Sequence, residues 1–342
     1  MNSATAWNRR KLLRIGVAVG TVAAMSRLSW SARAAETPLK VDIVNTASNN
    51  TFTLQELMKQ QGYYEEFGLE PTTLNVADGS KLMGALLSGS SDICFLSGFG
   101  QVLPAIEKGG ALKLVAGAGL LLPDAIYSKK PEIQTLKNLE GRTVGTGSPG
   151  ALLHQFTTSL LRKKGVDLTK VQFVNVGSSA DVFRAVVAGV VDAGPALVDV
   201  YDDQAKYGVH SLKDGDLWTG LPEYTYQGSY ASTRAIAEKR EALVRALAVY
   251  GKVYRFISSP QSKDAFIRAR VAALKNTGES EGLSEWNWIR KYQPYALDLM
   301  LSEERVRYMQ ELNLEAGVQK KILPYDQVAD MSLAKEAVKR LA

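Results

Sequence analysis

From residue 39 onward, short runs rich in apolar and β-branched residues alternate with longer stretches whose apolar positions recur at helical spacing. Residues 39–44 (LKVDIV) predict a first strand, 45–51 a polar loop, and the stretch after it a helix that closes at Gly62. A second strand is expected over 69–76, a helix from Asp78-Gly79-Ser80 through Leu87, a third strand around Cys94 that runs into Gly98-Phe99-Gly100, and a fourth over 112–117. Strand, loop and helix in repeated order predict a parallel sheet covered by helices. The pattern also repeats at long range. Leu86-Leu87-x-Gly89-x-x-Asp92 and Val186-Val187-x-Gly189-x-x-Asp192 each read as a helix that ends at a glycine cap and drops into the next strand.

Residues 142–156 (RTVGTGSPGALLHQF) carry the densest chemistry. A short strand feeds a glycine-rich turn, after which Ser148 is expected as N-cap and Pro149 as first helical residue, since serine satisfies an orphan N–H and proline lacks one. Leu152, Phe156 and Leu160 fall on one face, and Lys163-Lys164-Gly165 supplies a cationic last turn with a glycine stop. The N–H groups around Gly147, Ser148, Gly150 and Ala151 then form a place to hold an anion or a polar oxygen, unless the turn merely caps its helix. Two enzyme readings are disfavoured. Gly145-x-Gly147-x-x-Gly150 matches a dinucleotide fingerprint, but the next strand, 171–176, ends in Gly177-Ser178 rather than in the acid that would hold a ribose. A serine-hydrolase elbow needs glycine two residues before the serine, where Thr146 stands.

The start of the chain differs from the rest. Arg9-Arg10-Lys11-Leu12-Leu13-Arg14, an apolar run over 15–25 and Ala32-Arg33-Ala34 compose an export signal of twin-arginine type, cleaved near Ala34; the apolar run is too short for a membrane anchor and no Leu-x-x-Cys lipobox follows. Residues 1–34 hold six cations and no acid, so the whole formal charge of +6 belongs to them. The remainder is neutral and offers no electrostatic case for nucleic acid. Cys94, the only cysteine, excludes an internal disulfide and a thiolate metal cluster, and its apolar neighbours place it in a core. About 308 remaining residues exceed what one core commonly holds, so two lobes are expected.

Gly62-Tyr63-Tyr64-Glu65-Glu66-Phe67-Gly68-Leu69-Glu70, the two helix-glycine-strand segments and Leu136-Lys137-Asn138-Leu139-Glu140-Gly141-Arg142-Thr143-Val144-Gly145 together resemble the periplasmic solute-binding proteins of the nitrate/sulfonate/taurine type that serve ATP-driven importers. The resemblance covers most of residues 38–260. It implies an α/β fold of the type II, Venus-flytrap kind, with two lobes of parallel-rich sheets around a ligand cleft: residues 35–125 with 228–342 as one lobe and 126–227 as the other, crossed near 124–128 and 224–230. A long amphipathic helix over 232–258 then returns to the first lobe, and residues 260–342 read as helices without a diagnostic motif.

Carried onto this chain, the resemblance places ligand contacts at Thr46 and Ser48, at Ser97 and Gly98, at Gly147, Ser148, Gly150 and Ala151, at Asp199, and at Ser229 and Tyr230. Ser48 and Thr46 are equally candidates for capping, and Asp199 for the start of a surface helix. Phe99, Phe156 and Tyr230 are candidate apolar walls. The implied activity is capture of a small anionic organic solute (sulfonate, taurine, nitrate or carboxylate), without catalysis, cofactor or metal, in the periplasm, for delivery to an ABC permease; a monomer is the default for such a carrier. The alternatives are an exported enzyme or a ligand sensor on the same fold. His154 and His210 are the only two histidines and lie far apart in sequence, so neither a catalytic nor a metal constellation is visible.

Overall fold

A computed structural model describes residues 37–77, 79–149, 152–275 and 278–341. The export signal predicted over 1–34, and Gly150 and Ala151 of the glycine-rich turn, lie outside the described residues. Ten strands form two five-stranded sheets there: β1 (Leu39–Thr46), β2 (Leu69–Val76), β3 (Ile93–Ser97), β4 (Leu112–Gly117), β5 (Asp124–Ser128), β6 (Thr143–Thr146), β7 (Gln172–Asn175), β8 (Ala193–Leu197), β9 (His210–Asp216) and β10 (Gly228–Ser232). The orders are β2-β1-β3-β10-β4 and β7-β6-β8-β5-β9. The principal helices are α1 (Asn49–Gln60), α2 (Gly79–Ser88), α3 (Leu152–Lys163), α4 (Ser179–Ala188), α5 (Arg240–Ile257), α6 (Lys263–Ala273), α7 (Glu279–Tyr292), α8 (Glu303–Glu315) and α9 (Ser332–Lys339).

The two sheets have one topology. In each, four strands run in one direction and a strand arriving from the other half of the chain inserts antiparallel to its neighbours: β10 between β3 and β4, β5 between β8 and β9. The expected parallel sheets are therefore mixed, because the chain passes between the halves through those two strands. The internal repeat also does equivalent work twice. Gly89 and Gly189 end α2 and α4 with φ of 76° and 74°, a left-handed conformation that costs glycine little. Three residues on, Asp92 Oδ2 accepts from the backbone N–H of Asp42 in β1 (2.9 Å) and from Lys239 Nζ (2.7 Å). Asp192 Oδ2 accepts from the N–H of Thr143 in β6 (2.8 Å), while its Oδ1 meets Lys130 Nζ (2.5 Å). Each aspartate thus fixes the second strand from the edge of its own sheet, β1 or β6, with charge-assisted hydrogen bonds.

Two boundaries differ from the sequence expectation. β1 continues to Thr46, because Asn45 is buried and earns its place there: its Oδ1 accepts from the N–H groups of Phe95 (2.9 Å) and Leu96 (3.1 Å), and its Nδ2 donates to Tyr250 Oη (3.3 Å). The returning helix expected over 232–258 is split at Lys239 into Thr233–Glu238 and α5, and the Lys239 ammonium pairs with Asp92 and Asp42. Twelve residues of α5 are buried, and Tyr250 stacks on Phe95 at 3.8 Å, which anchors this helix to the first sheet.

The connections between the sheets are held together. Ala118 N–H donates to Gln227 O (3.2 Å), and Gln227 N–H to Gly119 O (2.9 Å). From α8, Arg305 Nη1 reaches the carbonyls of Leu120 (3.0 Å), Tyr224 (3.1 Å) and Glu223 (3.5 Å), so a single guanidinium ties both connections. The segment after α7 adds Leu120 N–H to Pro294 O (2.6 Å) and Ala296 N–H to Ala118 O (2.9 Å).

Candidate functional site

The carboxyl ends of β1 and β3 face a cavity of about 450 Å³. Thr46 and Ser48 line it after β1, Ser97 and Gly98 after β3, Gly79 and Met83 from α2, Leu152 and Gln155 from α3, Tyr226, Gln227 and Tyr230 from the returning connection, and Asn313, Ala316 and Val318 at the end of α8. Open α/β sheets hold ligands at this end of their strands. Among the described lining residues none is charged. Hydroxyl, carboxamide and backbone groups supply all the polarity, alongside the apolar side chains of Leu152, Met83 and Val318.

A smaller void of about 50 Å³ adjoins it, with Ser48 and Tyr226 on both, and is walled by Asn50, Asp199, Arg270, Glu285, Trp288 and Tyr295 among others. A third hollow of about 530 Å³ shares Asn49, Leu197 and Asp199 with the second and opens toward Phe183 and Tyr207 on the second sheet's side. Together they trace one cleft along the start of α1.

The sequence-derived candidates distribute unevenly over this cleft. Thr46, Ser48, Ser97, Gly98 and Tyr230 line the main cavity. Thr46 Oγ1 donates to Ser97 Oγ (2.8 Å), and Tyr230 Oη lies 3.5 Å from Gly98 O. Ser48 also caps α1, its Oγ accepting from Thr51 N–H (3.1 Å), so capping and cavity wall are one role. Ser229 is not among the residues that line the main cavity: its hydroxyl is buried and donates to Phe95 O (3.2 Å).

In the glycine-rich turn, Ser148 Oγ accepts from Asn175 Nδ2 (3.1 Å), and α3 is described from Leu152. Gly147 is buried and neither it nor Ser148 lines the main cavity. The cavity instead meets α3 through Leu152, which is 42 % exposed, while Phe156 and Leu160 are buried as their shared face predicted. Phe99 and Phe156 belong to the core, leaving Tyr230 as the wall among the three aromatic candidates.

Asp199 starts no surface helix. It sits in a short 3-10 turn, Val198–Val200, and pairs with Arg270 Nη2 (3.0 Å); Arg270 Nη1 pairs with Glu285. The guanidinium is 1 % exposed and stands between two carboxylates. Burial raises the Asp199 carboxyl to about 6, with Arg270 opposing and Glu285 adding to the rise. Asp124, at the start of β5, is also buried; desolvation first, and then the charge of Asp199, push it up to about 7, against a hydrogen bond from Ser179.

Sequence reasoning missed the α8 residues, α2, Gln101, Gln155, Tyr226 and Gln227. The contribution of α8 carries no local signal, since Asn313 reaches the cavity from more than two hundred residues beyond the loops it joins. Tyr226 and Gln227 adjoin the predicted Ser229, and their position in the returning connection was the available clue.

Cys94 is buried, and burial pushes its thiol up to about 12. His154 packs edge-on against Phe173 (5.1 Å), with its pKa lowered by burial. Among the described residues no group of three His, Cys, Asp or Glu side chains is placed to hold a metal ion, and no helix is long and apolar enough to cross a membrane.

The family model described as NMT1/THI5 like matches residues 49–261. No curated protein matches the chain. Among solved structures, the periplasmic aliphatic sulphonate binding protein SsuA from Escherichia coli is 19 % identical with a TM-score of 0.70, over 86 % of this chain and 92 % of that one. A putative periplasmic sulfonate-binding SsuA from Methylobacillus flagellatus KT is 17 % identical with a TM-score of 0.69, over 90 % and 96 %. The desulfurization enzyme DSZB is 15 % identical with a TM-score of 0.61, over 88 % and 100 %. At such identities the likeness is one of fold: the α/β arrangement of periplasmic binding proteins, which accommodates both carriers and an enzyme.

Proposed function

This chain belongs to the NMT1/THI5-like family, and from that membership we propose that it is the periplasmic solute-binding component of an ABC importer. It captures a small organic solute, a sulfonate or carboxylate, in the cleft between two lobes. One lobe is 35–125 with 228–342, built on the first sheet, and the other is 126–227, built on the second. Residues 1–34 are its export signal, and a permease receives the loaded form.

The observation that carries this reading is the cavity of about 450 Å³ at the carboxyl ends of β1 and β3, walled by side chains from both sheets' helices and lined with uncharged polar groups. Such groups hold an oxyanion head by hydrogen bonds without a formal cation, and the cavity lies against the start of α3, whose dipole favours negative charge. The sulfonate carriers of the same fold support this class of solute. A solute that touches residues of both halves favours the closed arrangement because only that arrangement offers every contact. The buried, high-pKa thiol and the scarcity of histidines argue against an enzyme in this cleft.

A thermal-shift panel of alkyl and aryl sulfonates, taurine, carboxylates, nitrate and nucleotides tests the proposal. A solute at about a hundred times its dissociation constant adds roughly 2.7 kcal/mol, a shift of a few degrees. Gly100 lines the cavity and a Cβ there meets nothing within 4 Å, so Gly100→Trp is expected to block binding while leaving the unliganded melting temperature near its original value. Stabilisation by nucleotides alone, or binding indifferent to Gly100→Trp, would overturn the proposal.

A further inference from the structure

We propose that the hairpin of α6 and α7 is a strap across the cleft: it is rooted on the half of the molecule built on the first sheet, grips the other half through the turn after β8, and holds the two together until that grip parts. The inference rests on the solute-binding reading above and adds what controls access to the cleft. Both roots of the strap lie on α1. α6 packs along α1 before α7 begins, and after α7 ends Tyr295 Oη donates to Asn50 Oδ1 (2.8 Å) in the first turn of α1. Within the hairpin, Arg270 of α6 pairs with Glu285 of α7, and Trp286 Nε1 of α7 donates to Ser262 Oγ (2.9 Å), just ahead of α6.

The middle of the strap is bonded to the second half. Ser284, 2 % exposed, donates its hydroxyl to Val198 O (2.7 Å) and accepts from the Asp202 N–H (3.1 Å), so one side chain serves two backbone groups of the segment that follows β8. Asn287 Nδ2 donates to Asp202 Oδ2 (2.8 Å), Arg270 Nη2 pairs with Asp199 (3.0 Å), and the rings of Trp288 and Tyr292 stand 5.8 and 5.2 Å from that of Trp218. This joint is partly polar and incompletely filled. The void of about 50 Å³ lies in it, with Val198 and Asp199 on one side and Trp288 and Tyr295 on the other. Space without atoms forfeits dispersion attraction, so the joint parts more readily than the packed roots. Parting leaves the guanidinium with Glu285 and gives Asp199, Val198 O and the Asp202 N–H to water. The strap therefore stays with the first half and lets go of the second.

Distances between paired spin labels test this with no solute present, so the outcome is separate from that of the solute-binding reading. Cys94 is buried and leaves labelling to introduced cysteines; Val190 on the second half, with Leu87 or Gln60 on the first, all exposed, gives two label pairs. With the native strap, each pair is expected to show one narrow distance. Ser284→Ala removes two hydrogen bonds across the joint and is expected to raise the ratio of parted to joined molecules about tenfold, seen as a second, longer distance, with Ser284→Ala combined with Asn287→Ala showing the same component. Asp192→Asn weakens the second sheet away from the strap, and its distances are expected to match those of the native strap. Native-strap molecules already spread over long distances, unchanged distances in both strap variants, or an equally large long component in Asp192→Asn would each overturn the strap. If the thermal-shift panel finds no solute, the head-group reading fails and these distances still decide the strap.

Discussion

Asp124 begins the strand that carries the chain into the second sheet, is 2 % exposed, and has the Ser179 hydroxyl 3.4 Å away at the start of α4. Its carboxyl titrates near 7 in the folded chain against an ordinary value of 3.8. Between those values the folded protein holds a proton that the unfolded chain has released, so this group's contribution is complete below the unfolded value and is lost as pH rises through the folded one. At about pH 5 the linkage is worth about 2.5 kcal/mol, and by about pH 8 almost nothing. Asp124→Asn removes the titration and keeps the shape. The unliganded melting temperature of the wild type, minus that of the variant, is therefore expected to fall by about 4 °C between about pH 5 and about pH 8. Taking the difference cancels groups that do not interact with Asp124; Asp199, whose charge helps to raise Asp124, is coupled to it and contributes to the difference. A difference independent of pH, or one that grows toward alkaline pH, would show that Asp124 is ionised in the fold and would sink the argument.

Three further substitutions probe the scaffold. Arg305→Ala leaves the carbonyls of Leu120, Glu223 and Tyr224 without their shared donor and is expected to lose roughly 2–4 kcal/mol, measured by urea unfolding; an unchanged midpoint would show that the connections between the sheets hold without it. Asn45→Leu strands the N–H groups of Phe95 and Leu96 in the core, with an expected cost of roughly 2–5 kcal/mol by the same measurement. Asp192→Asn, which loses charge opposite Lys130 and the Thr143 N–H, is expected to destabilise by roughly 1–3 kcal/mol, more at low salt than at high salt; a loss insensitive to salt would assign the effect to packing instead.

How far the sequence could be read depends on the range of each signal. The repeated glycine and aspartate were visible because a left-handed stop and the strand after it are local chemistry, and the structure adds what spacing alone could not: the aspartates hold the backbone of the equivalent strands β1 and β6, each second from the edge of its sheet. Thr46, Ser48, Ser97 and Gly98 were legible for the same reason, since the loop after a strand's carboxyl end is both a sequence feature and a place in the fold. Ser229 and Tyr230 show where this stops. They are adjacent in sequence, yet Tyr230 lines the cavity while the Ser229 hydroxyl bonds to Phe95 O, at a register shift in the pairing of β10 with β4. Asp199 shows the limit at long range, because its partner Arg270 stands 71 residues away on a helix without a recognisable motif. The helices after residue 260 looked uninformative for that reason, yet they wall both cavities and fasten both connections between the sheets. The loops at the strand ends supply the polar floor of the cleft, and the C-terminal helices decide its depth, its charge and the freedom of the segments that would let it open.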